Sequence, residues 1–104
     1  MEKKYDSLTL RETEHFIRNL PSSDEASIRA DIRVMETGDF DAVRLKTLRG
    51  KIKELIVGDY RLIFFISEHI LYFVRAFRKK TKKTPFQEIE YAKRIYKTII
   101  QKKK

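Results

Sequence analysis

Two apolar segments joined by Gly58 and Asp59 constrain the fold of this chain more than any other feature. The segments KIKELIV and YRLIFFIS are rich in branched and aromatic residues, which favour strands. A two-residue Gly-X loop suits the type II′ turn of a β-hairpin. Because this loop length fixes the register, Val57 should lie opposite Tyr60. The sequence therefore predicts an antiparallel hairpin over residues 51–67.

The register of this hairpin decides which side chains share a face of the sheet. It places Ile56 opposite Arg61 and Glu54 opposite Ile63. Since side chains alternate across a strand, Glu54, Arg61, Ile63 and Phe65 are predicted to lie on one face.

A further strand, ILYFVRAF, should follow a three-residue loop at positions 67–69. That loop length places Arg61 opposite Arg75 and puts Phe73 and Phe77 on the same face. A loop shorter or longer by one residue would send Arg75 to the other face.

The N-terminal part predicts one short strand and two helices. Residues 4–10 can form the strand, and residues 11–20 form a helix that ends at a proline. Ser22 as N-cap and Glu25 three residues later have the spacing of a capping box, and Gly38 is a natural C-terminal stop.

After these helices the periodicity changes to that of strands. The segment VRLKTL alternates apolar and basic residues, as a half-buried strand does. Thr84 as N-cap, Pro85 at the first helical position and Gln87 predict a C-terminal helix with a second capping box. The expected fold is α+β: two N-terminal helices packed on a small antiparallel, twisted sheet with a C-terminal helix, forming a single domain over residues 1–104.

Composition excludes several classes of protein. The absence of cysteine rules out disulfides, thiolate zinc sites and cysteine nucleophiles. No cluster of metal ligands, glycine-rich phosphate loop or Ser-His-Asp set is present, and His15 and His69 are expected at the surface, so we expect neither metal nor cofactor. The longest apolar run, residues 62–66, is too short to span a membrane, and we expect a soluble cytoplasmic protein.

The positive charge is concentrated in the second part of the chain. Residues 1–42 carry six Lys/Arg and ten Asp/Glu, whereas residues 43–104 carry 18 and five. The segment RAFRKKTKKTP, at positions 75–85, alone holds six cations. Such a surface serves solubility alone or binds an anionic partner such as nucleic acid.

Two arginines opposite each other also need an anion between them. Glu54 could pair with Arg61 across the strands, or a phosphate could bind the guanidinium groups. Phe65, Phe73 and Phe77 on the same face could stack on bases, although aromatic residues in a small sheet usually form core.

With LRGKIKELIVGDYRLIFF, FRKKTKKTP and EIEYAKR, the chain resembles toxins of the RelE/HigB type in the RelE/ParE superfamily, above all their phage-derived HigB-like branch. That branch has Lys/Arg-Gly after a leucine, a strand with Glu-Leu, a strand opening with Tyr-Arg, and a Phe-x-Lys-Lys-Thr-x-Lys-Thr-Pro loop before a helix. The matching segments here are Leu48–Gly50, Glu54–Leu55, Tyr60–Arg61 and Phe77–Pro85.

The resemblance implies a RelE-like fold and a toxin of a type II toxin–antitoxin module. Such toxins are metal-independent endoribonucleases that cut mRNA in the ribosomal A site by attack of the ribose 2′-hydroxyl on the adjacent phosphate. An antitoxin holds them inactive; in this branch it usually has a helix-turn-helix domain, as in HigA-like proteins, and DNA is contacted only through it.

The chemistry needs cations for the phosphorane, a base for the 2′-hydroxyl and an acid for the 5′-oxygen. The resemblance points to Arg61 for phosphate stabilisation, and the remaining catalytic candidates are Arg75, Lys79, Lys80 and Glu54. Glu54 stands where some members have a lysine, and a glutamate is a weak base at neutral pH. The RNA-binding candidates are Arg78, Lys82, Lys83, Lys53 and Tyr91.

Three other functions remain open. The chain could be a basic module that binds RNA or the ribosome without cutting, with the same cations acting through counterion release. It could be an inactive family member that only binds its antitoxin. A DNA-binding regulator is disfavoured, because the cations follow strands and a loop rather than a recognition helix.

Overall fold

The computed structural model describes residues 2–102 of the chain. It contains five strands and three α-helices, with a short 3-10 turn at Phe40–Ala42. In chain order the elements are β1 (Asp6–Thr9), α1 (Arg11–Arg18), α2 (Ser22–Glu36), β2 (Arg44–Arg49), β3 (Ile52–Val57), β4 (Tyr60–Ser67), β5 (Ile70–Arg78) and α3 (Phe86–Lys102).

The strands form one sheet in the order β1-β5-β4-β3-β2. Strands β2 to β5 make an antiparallel meander, and β1 adds to its edge parallel to β5. The predicted α+β class is confirmed. The sheet is mixed rather than wholly antiparallel, because the chain passes through α1 and α2 between β1 and the meander.

Helices cover both faces of the sheet. On one face α1 and α2 pack on alternate side chains of the central strands, including Leu62 and Phe64. On the other face α3 packs on Ile63 and Phe65. All four of these β4 side chains are fully buried. Burial of each such side chain stabilises the fold by about 1.5–3 kcal/mol. Because the side chains alternate between the two faces, β4 belongs to both hydrophobic cores.

The predicted ends of α2 are half correct. Ser22 is the first helical residue rather than the N-cap, and the carbonyl of Pro21 accepts the N–H of Glu25 at 3.0 Å, so the expected Ser22–Glu25 capping box is wrong. The C-terminal stop is confirmed: Gly38 has φ of +85°, and its N–H donates to the carbonyl of Met35 at 2.9 Å.

The register of the first hairpin is confirmed. Val57 lies opposite Tyr60, Ile56 opposite Arg61 and Glu54 opposite Ile63. Gly58 has φ of +57°, the left-handed value that the first loop residue of a type II′ turn needs.

The predicted register of β4 with β5 is wrong. The loop has two residues rather than three, since Ser67 pairs with Ile70 and Glu68 takes a left-handed φ of +57°. A β-bulge then shifts the pairing by one more residue between Ile63 and Phe64. The apolar pattern marks neither a non-glycine residue in this conformation nor a bulge.

The two shifts leave Arg75 on the predicted face at a different place. Arg61 lies opposite Phe77, and Arg75 lies opposite Ile63. Two one-residue shifts restore the parity of the strand, so Arg61, Arg75 and Phe77 share a face as expected. Phe73 pairs with Phe64 and lies on the other face, contrary to the expectation.

An ion pair joins α1 to α2. The guanidinium of Arg29 donates to both oxygens of Glu14, at 3.2 and 2.7 Å, and its Nε donates to Glu25 at 3.0 Å. The hydrogen bond from Arg29 is the main cause that holds the pKa of Glu14 below its ordinary value. Because the folded-state pKa is lowered, the pair stabilises the fold above the unfolded pKa of a glutamate, and this stability is lost as pH falls through the folded value.

We therefore expect Glu14→Gln to lower the free energy of unfolding by about 1 kcal/mol at neutral pH. The difference in the free energy of unfolding from the unsubstituted chain should vanish at a pH below the folded pKa of Glu14, where the protonated glutamate is as neutral as the glutamine that replaces it. Denaturant unfolding at pH 7 and at a series of acidic pH values measures this, with Glu12→Gln on the same helix, a side chain that is 84% exposed, as control. An equal loss at every pH would contradict the role of the charge.

Candidate functional site

A cationic cleft of about 480 Å³ lies on the α3 side of the sheet, beside the loop between β5 and α3. Strands β2, β3 and β4 supply one wall, and residues 78–85 supply the other. Eight cations and two carboxylates, Glu54 and Glu88, line it. The cations are Arg44, Lys46, Arg61, Arg78, Lys79, Lys80, Lys82 and Lys83.

Two of these cations, Arg44 and Lys46, are not among the site residues predicted from the sequence. Lys46 lies opposite Glu54 and Arg44 opposite Ile56, so the edge strand β2 presents both to the cleft. Their alternation with apolar residues in VRLKTL is the available signal, but it indicates a strand and does not say which face carries the site.

Arg61 lies at the end of the hairpin with an uncompensated charge. Its guanidinium donates to the carbonyl oxygens of Gly58 and Tyr60, both at 2.9 Å. Throughout residues 2–102, no carboxylate forms an ion pair with it. The Glu54–Arg61 pair considered from the sequence does not form, and the remaining N–H groups of Arg61 are available to an anion in the cleft.

Glu54 lies beneath the cleft with only 3% of its surface exposed. The hydroxyl of Thr84 donates to its Oε1 at 2.5 Å. The predicted capping box of α3 is therefore not the observed arrangement: α3 begins at Phe86, and the carbonyl of Pro85 accepts the N–H of Glu88 at 3.0 Å. Thr84 instead ties β3 to the end of the loop at residues 79–85, which we call the cationic loop.

The cationic loop is also fixed at its beginning. The backbone N–H of Lys79 donates to the carbonyl of Asp59 in the hairpin turn at 2.7 Å. Within the loop, the hydroxyl of Thr81 donates to the carbonyl of Lys83 at 2.6 Å. Lys79, Lys80, Lys82 and Lys83 are all exposed. The fold thus presents four solvated ammonium groups on a loop anchored at both ends.

Arg78 is held by a chain of side chains that ends in α2. Its guanidinium donates to the hydroxyl of Tyr60 at 3.0 Å, and this hydroxyl donates to Asp24 at 2.8 Å. Tyr60 is 6% exposed. Because the hydroxyl is fixed from both sides, the guanidinium of Arg78 is held over the ring of Tyr60, towards α2 and away from the face that carries Arg61.

Arg75 does not line the cleft. Its Nε donates to Glu88 at 2.6 Å, Glu12 lies at 4.0 Å, and the ring of Tyr91 lies 5.4 Å from the guanidinium. The expected opposition of Arg61 and Arg75 is wrong because of the two-residue loop and the bulge, and the charge of Arg75 is compensated. Tyr91 lies on α3, where it contacts Arg94 and also Arg75 of β5, and it does not line the cleft.

Other predicted residues lie away from the cleft. Lys53 pairs with Thr47 and Phe64, which places it on the opposite face from Glu54. Phe65 and Phe73 are fully buried, so neither can stack on a base, while Phe77 is half-buried and lines the cleft.

Neither a metal-binding cluster nor a membrane-spanning helix is found in residues 2–102. Within this part of the chain, no three histidine or acidic side chains come close enough together to hold a metal ion. None of the helices in it has the length and apolar character that crossing a membrane requires.

The fold is that of the RelE toxins. The isolated E. coli RelE toxin aligns over 88% of this chain and 98% of its own, at 16% identity and a TM-score of 0.57. The RelB-RelE antitoxin-toxin complex from Methanococcus jannaschii matches over 68% of this chain and 88% of its own, at 15% identity and a TM-score of 0.58. Among curated protein sequences, none matches this chain.

Residues 15–97 match the family model described as phage derived protein Gp49-like (DUF891). This match spans most of the chain, which therefore belongs to the Gp49-like family. Family and fold together place it among toxins of the RelE superfamily, and the resemblance to that superfamily is confirmed.

The hydrogen bond from Thr84 to Glu54 yields a prediction. Thr84→Val keeps the shape of the side chain and leaves a buried carboxylate without this donor, so the free energy of unfolding should fall by about 1.5–3 kcal/mol. Thr81→Val, in the exposed part of the same loop, should change it by less than about 0.5 kcal/mol. Denaturant unfolding of both variants provides the comparison. Equal stability of the two would mean that Glu54 does not depend on Thr84.

Proposed function

We propose that this chain is the toxin of a type II toxin–antitoxin module and that it cuts mRNA in the ribosomal A site. The observation that carries the proposal is the cleft with eight cations, in which Arg61 has no carboxylate partner among the described residues. A phosphodiester is the ligand whose charge and oxygen geometry fit guanidinium and ammonium groups held in this way.

The proposed reaction is attack of the ribose 2′-hydroxyl on the adjacent phosphate, with departure of the 5′-oxygen. Arg61 stabilises the negative charge that grows on the phosphorane oxygens, and Arg78, whose guanidinium lies over the ring of Tyr60, helps to hold the RNA backbone. Lys79 and Lys80 add to this stabilisation. Lys82, Lys83, Arg44 and Lys46 hold the flanking RNA backbone.

Glu54 and Arg75 have different roles in this proposal from those of Arg61. The carboxylate of Glu54 is buried and accepts from Thr84 at Oε1, so Oε2 is the oxygen that could accept the proton of the 2′-hydroxyl. Arg75 is paired with Glu88 and positions that carboxylate at the rim of the cleft. For Lys53 and Tyr91, which lie outside the cleft, we propose contacts with ribosomal RNA rather than with the scissile phosphate.

The proposed partners are mRNA, the ribosome and an antitoxin in the cytoplasm. A RelE toxin of the same fold is known in complex with its antitoxin RelB, which supports an antitoxin partner here. For this branch we propose an antitoxin with a HigA-like helix-turn-helix domain, through which alone the toxin would meet DNA.

One observation favours a second candidate function. Of the two carboxylates of the cleft, Glu54 is buried and Glu88 is paired with Arg75, so neither is freely accessible as a base. The same cations would then bind RNA on the ribosome without cutting it, and inhibit translation by occupying the A site.

Primer extension on one mRNA, either naked or on programmed ribosomes, separates these functions. We expect cuts only on ribosomes, at a defined position in the A-site codon. Arg61→Ala should lower the cleavage rate by about 100-fold or more, because an electrostatic stabiliser of the transition state contributes on this scale. Cuts on naked RNA would mean a ribosome-independent nuclease. Ribosome binding without any cut would establish the non-catalytic function.

A second prediction concerns the loop cations. Lys79→Ala/Lys80→Ala should relieve growth inhibition without unfolding the protein, because both side chains are exposed. It should also reduce the slope of log affinity for single-stranded RNA against log salt by about 1.4, which is about 0.7 for each of the two phosphates that the lysines neutralise. Lys3→Ala/Arg33→Ala, which removes two exposed charges outside the cleft, is the matched control. Undiminished toxicity of the folded loop variant would contradict the assignment.

A further inference from the structure

Phe86 is a large apolar side chain that the fold leaves uncovered. It is 62% exposed, and the other large apolar side chain at the surface of residues 2–102, Leu8, is 43% exposed and lies on β1 at the far edge of the sheet. Phe86 is the first residue of α3 and follows directly on Pro85, which lines the cationic cleft. It belongs to neither of the two hydrophobic clusters, so packing does not account for an aromatic residue here.

A basic side chain covers part of the ring. The guanidinium of Arg49 lies 5.8 Å from the centroid of Phe86, within the range of a cation–π contact. Arg49 also lies 3.5 Å from Glu90, which in turn is 3.4 Å from Lys93, so this one carboxylate is shared between two cations. The surroundings of the ring therefore keep a net positive charge.

Strand β2 connects this ring to the cleft. Arg49 pairs with Ile52 and Lys46 pairs with Glu54, and Ile52 and Glu54 alternate onto the same face of β3. Arg44 and Lys46 line the cleft, so the three cations form a row along one face of β2. A register shift between Thr47 and Arg49 brings Arg49 onto the same face as Lys46, and their partners on β3 are two residues apart, or roughly 7 Å along a strand. An RNA backbone that leaves the cleft along this row reaches Phe86.

We propose that Phe86 is a stacking platform for one base of a single-stranded RNA whose phosphates bind in the cationic cleft. This inference rests on the proposed function, since it needs RNA in that cleft. Exposed aromatic rings beside cationic grooves bind single strands because every base has a π-face, whereas bases in a duplex are stacked on one another already. Phe86 with Arg49 thus selects unpaired RNA over a base-free polyanion.

The chain has no tryptophan, which makes the test direct. The Phe86→Trp variant carries a single indole, whose fluorescence should be quenched on titration with single-stranded oligoadenylate. Inorganic polyphosphate, which has the charge but no bases, should leave it unchanged while still competing for the cleft. Leu8→Trp is the matched control and should respond to neither probe.

Affinity gives an independent readout. By fluorescence anisotropy with labelled oligoadenylate, Phe86→Ala should bind about tenfold more weakly, and Phe86→Tyr should retain the affinity of the unsubstituted chain. Since Phe86 lies outside both cores, the alanine variant should fold, which circular dichroism checks.

The possible outcomes distinguish a failure of the stacking platform from a failure of the proposed function. Tight binding of oligoadenylate with no quenching and no effect of Phe86→Ala overturns the stacking platform and leaves the cationic cleft as the RNA site. Equal quenching by polyphosphate also overturns it, because charge alone would then explain the signal. No binding of oligoadenylate by the unsubstituted chain at low salt overturns the platform, while the proposed function is decided separately by primer extension on ribosomes.

Discussion

The burial of both faces of β4 is the constraint from which the architecture follows. Leu62, Ile63, Phe64 and Phe65 are consecutive and fully buried, so successive side chains point into opposite cores. A strand of this kind must have helices on both faces, since an uncovered face would leave large apolar side chains in water. The helices α1 and α2 supply one cover and α3 the other. Polar chemistry is consequently excluded from the middle of β4 and gathers on β2 and β3, at the start of β4 and on the segment that leads from β5 into α3.

The cleft concentrates like charges, which repel one another, and the fold compensates by fixing the loop that carries four of them. The backbone of Lys79 is bonded to Asp59 in the hairpin turn, and Thr84 is bonded to the buried carboxylate of Glu54. Such anchors fix the chain without neutralising its side chains, so the ammonium groups remain solvated and available. Arg75 shows the contrary arrangement, since its ion pair with Glu88 uses its charge to join β5 to α3.

The sequence specifies the elements well and the site only in part, for physical reasons. The Gly58–Asp59 turn has a unique register because its loop has two residues, and Glu54 and Arg61 are placed correctly from it, whereas the loop lysines simply follow β5 in the chain. The next loop and the β-bulge carry no mark in the apolar pattern, so Arg75 and Phe73 are misplaced. The sequence does not identify Arg44 and Lys46 as site residues, because strand alternation does not reveal which face of the sheet carries the site. The helical spacing of Phe86 from Ile89 and Ala92 would place it on the apolar face of α3, but it is 62% exposed, because the helix begins beyond the edge of its core.

The position of β2 at the edge of the sheet has a consequence for how copies of this chain behave at high concentration. An edge strand presents unpaired backbone N–H and carbonyl groups, which are a template for joining one sheet to another. Arg44, Lys46 and Arg49 place three positive charges along this edge, so two such strands brought together would repel. The row of cations that faces the cleft therefore also disfavours pairing of two copies through β2. A bound polyanion would remove that repulsion while it fills the site.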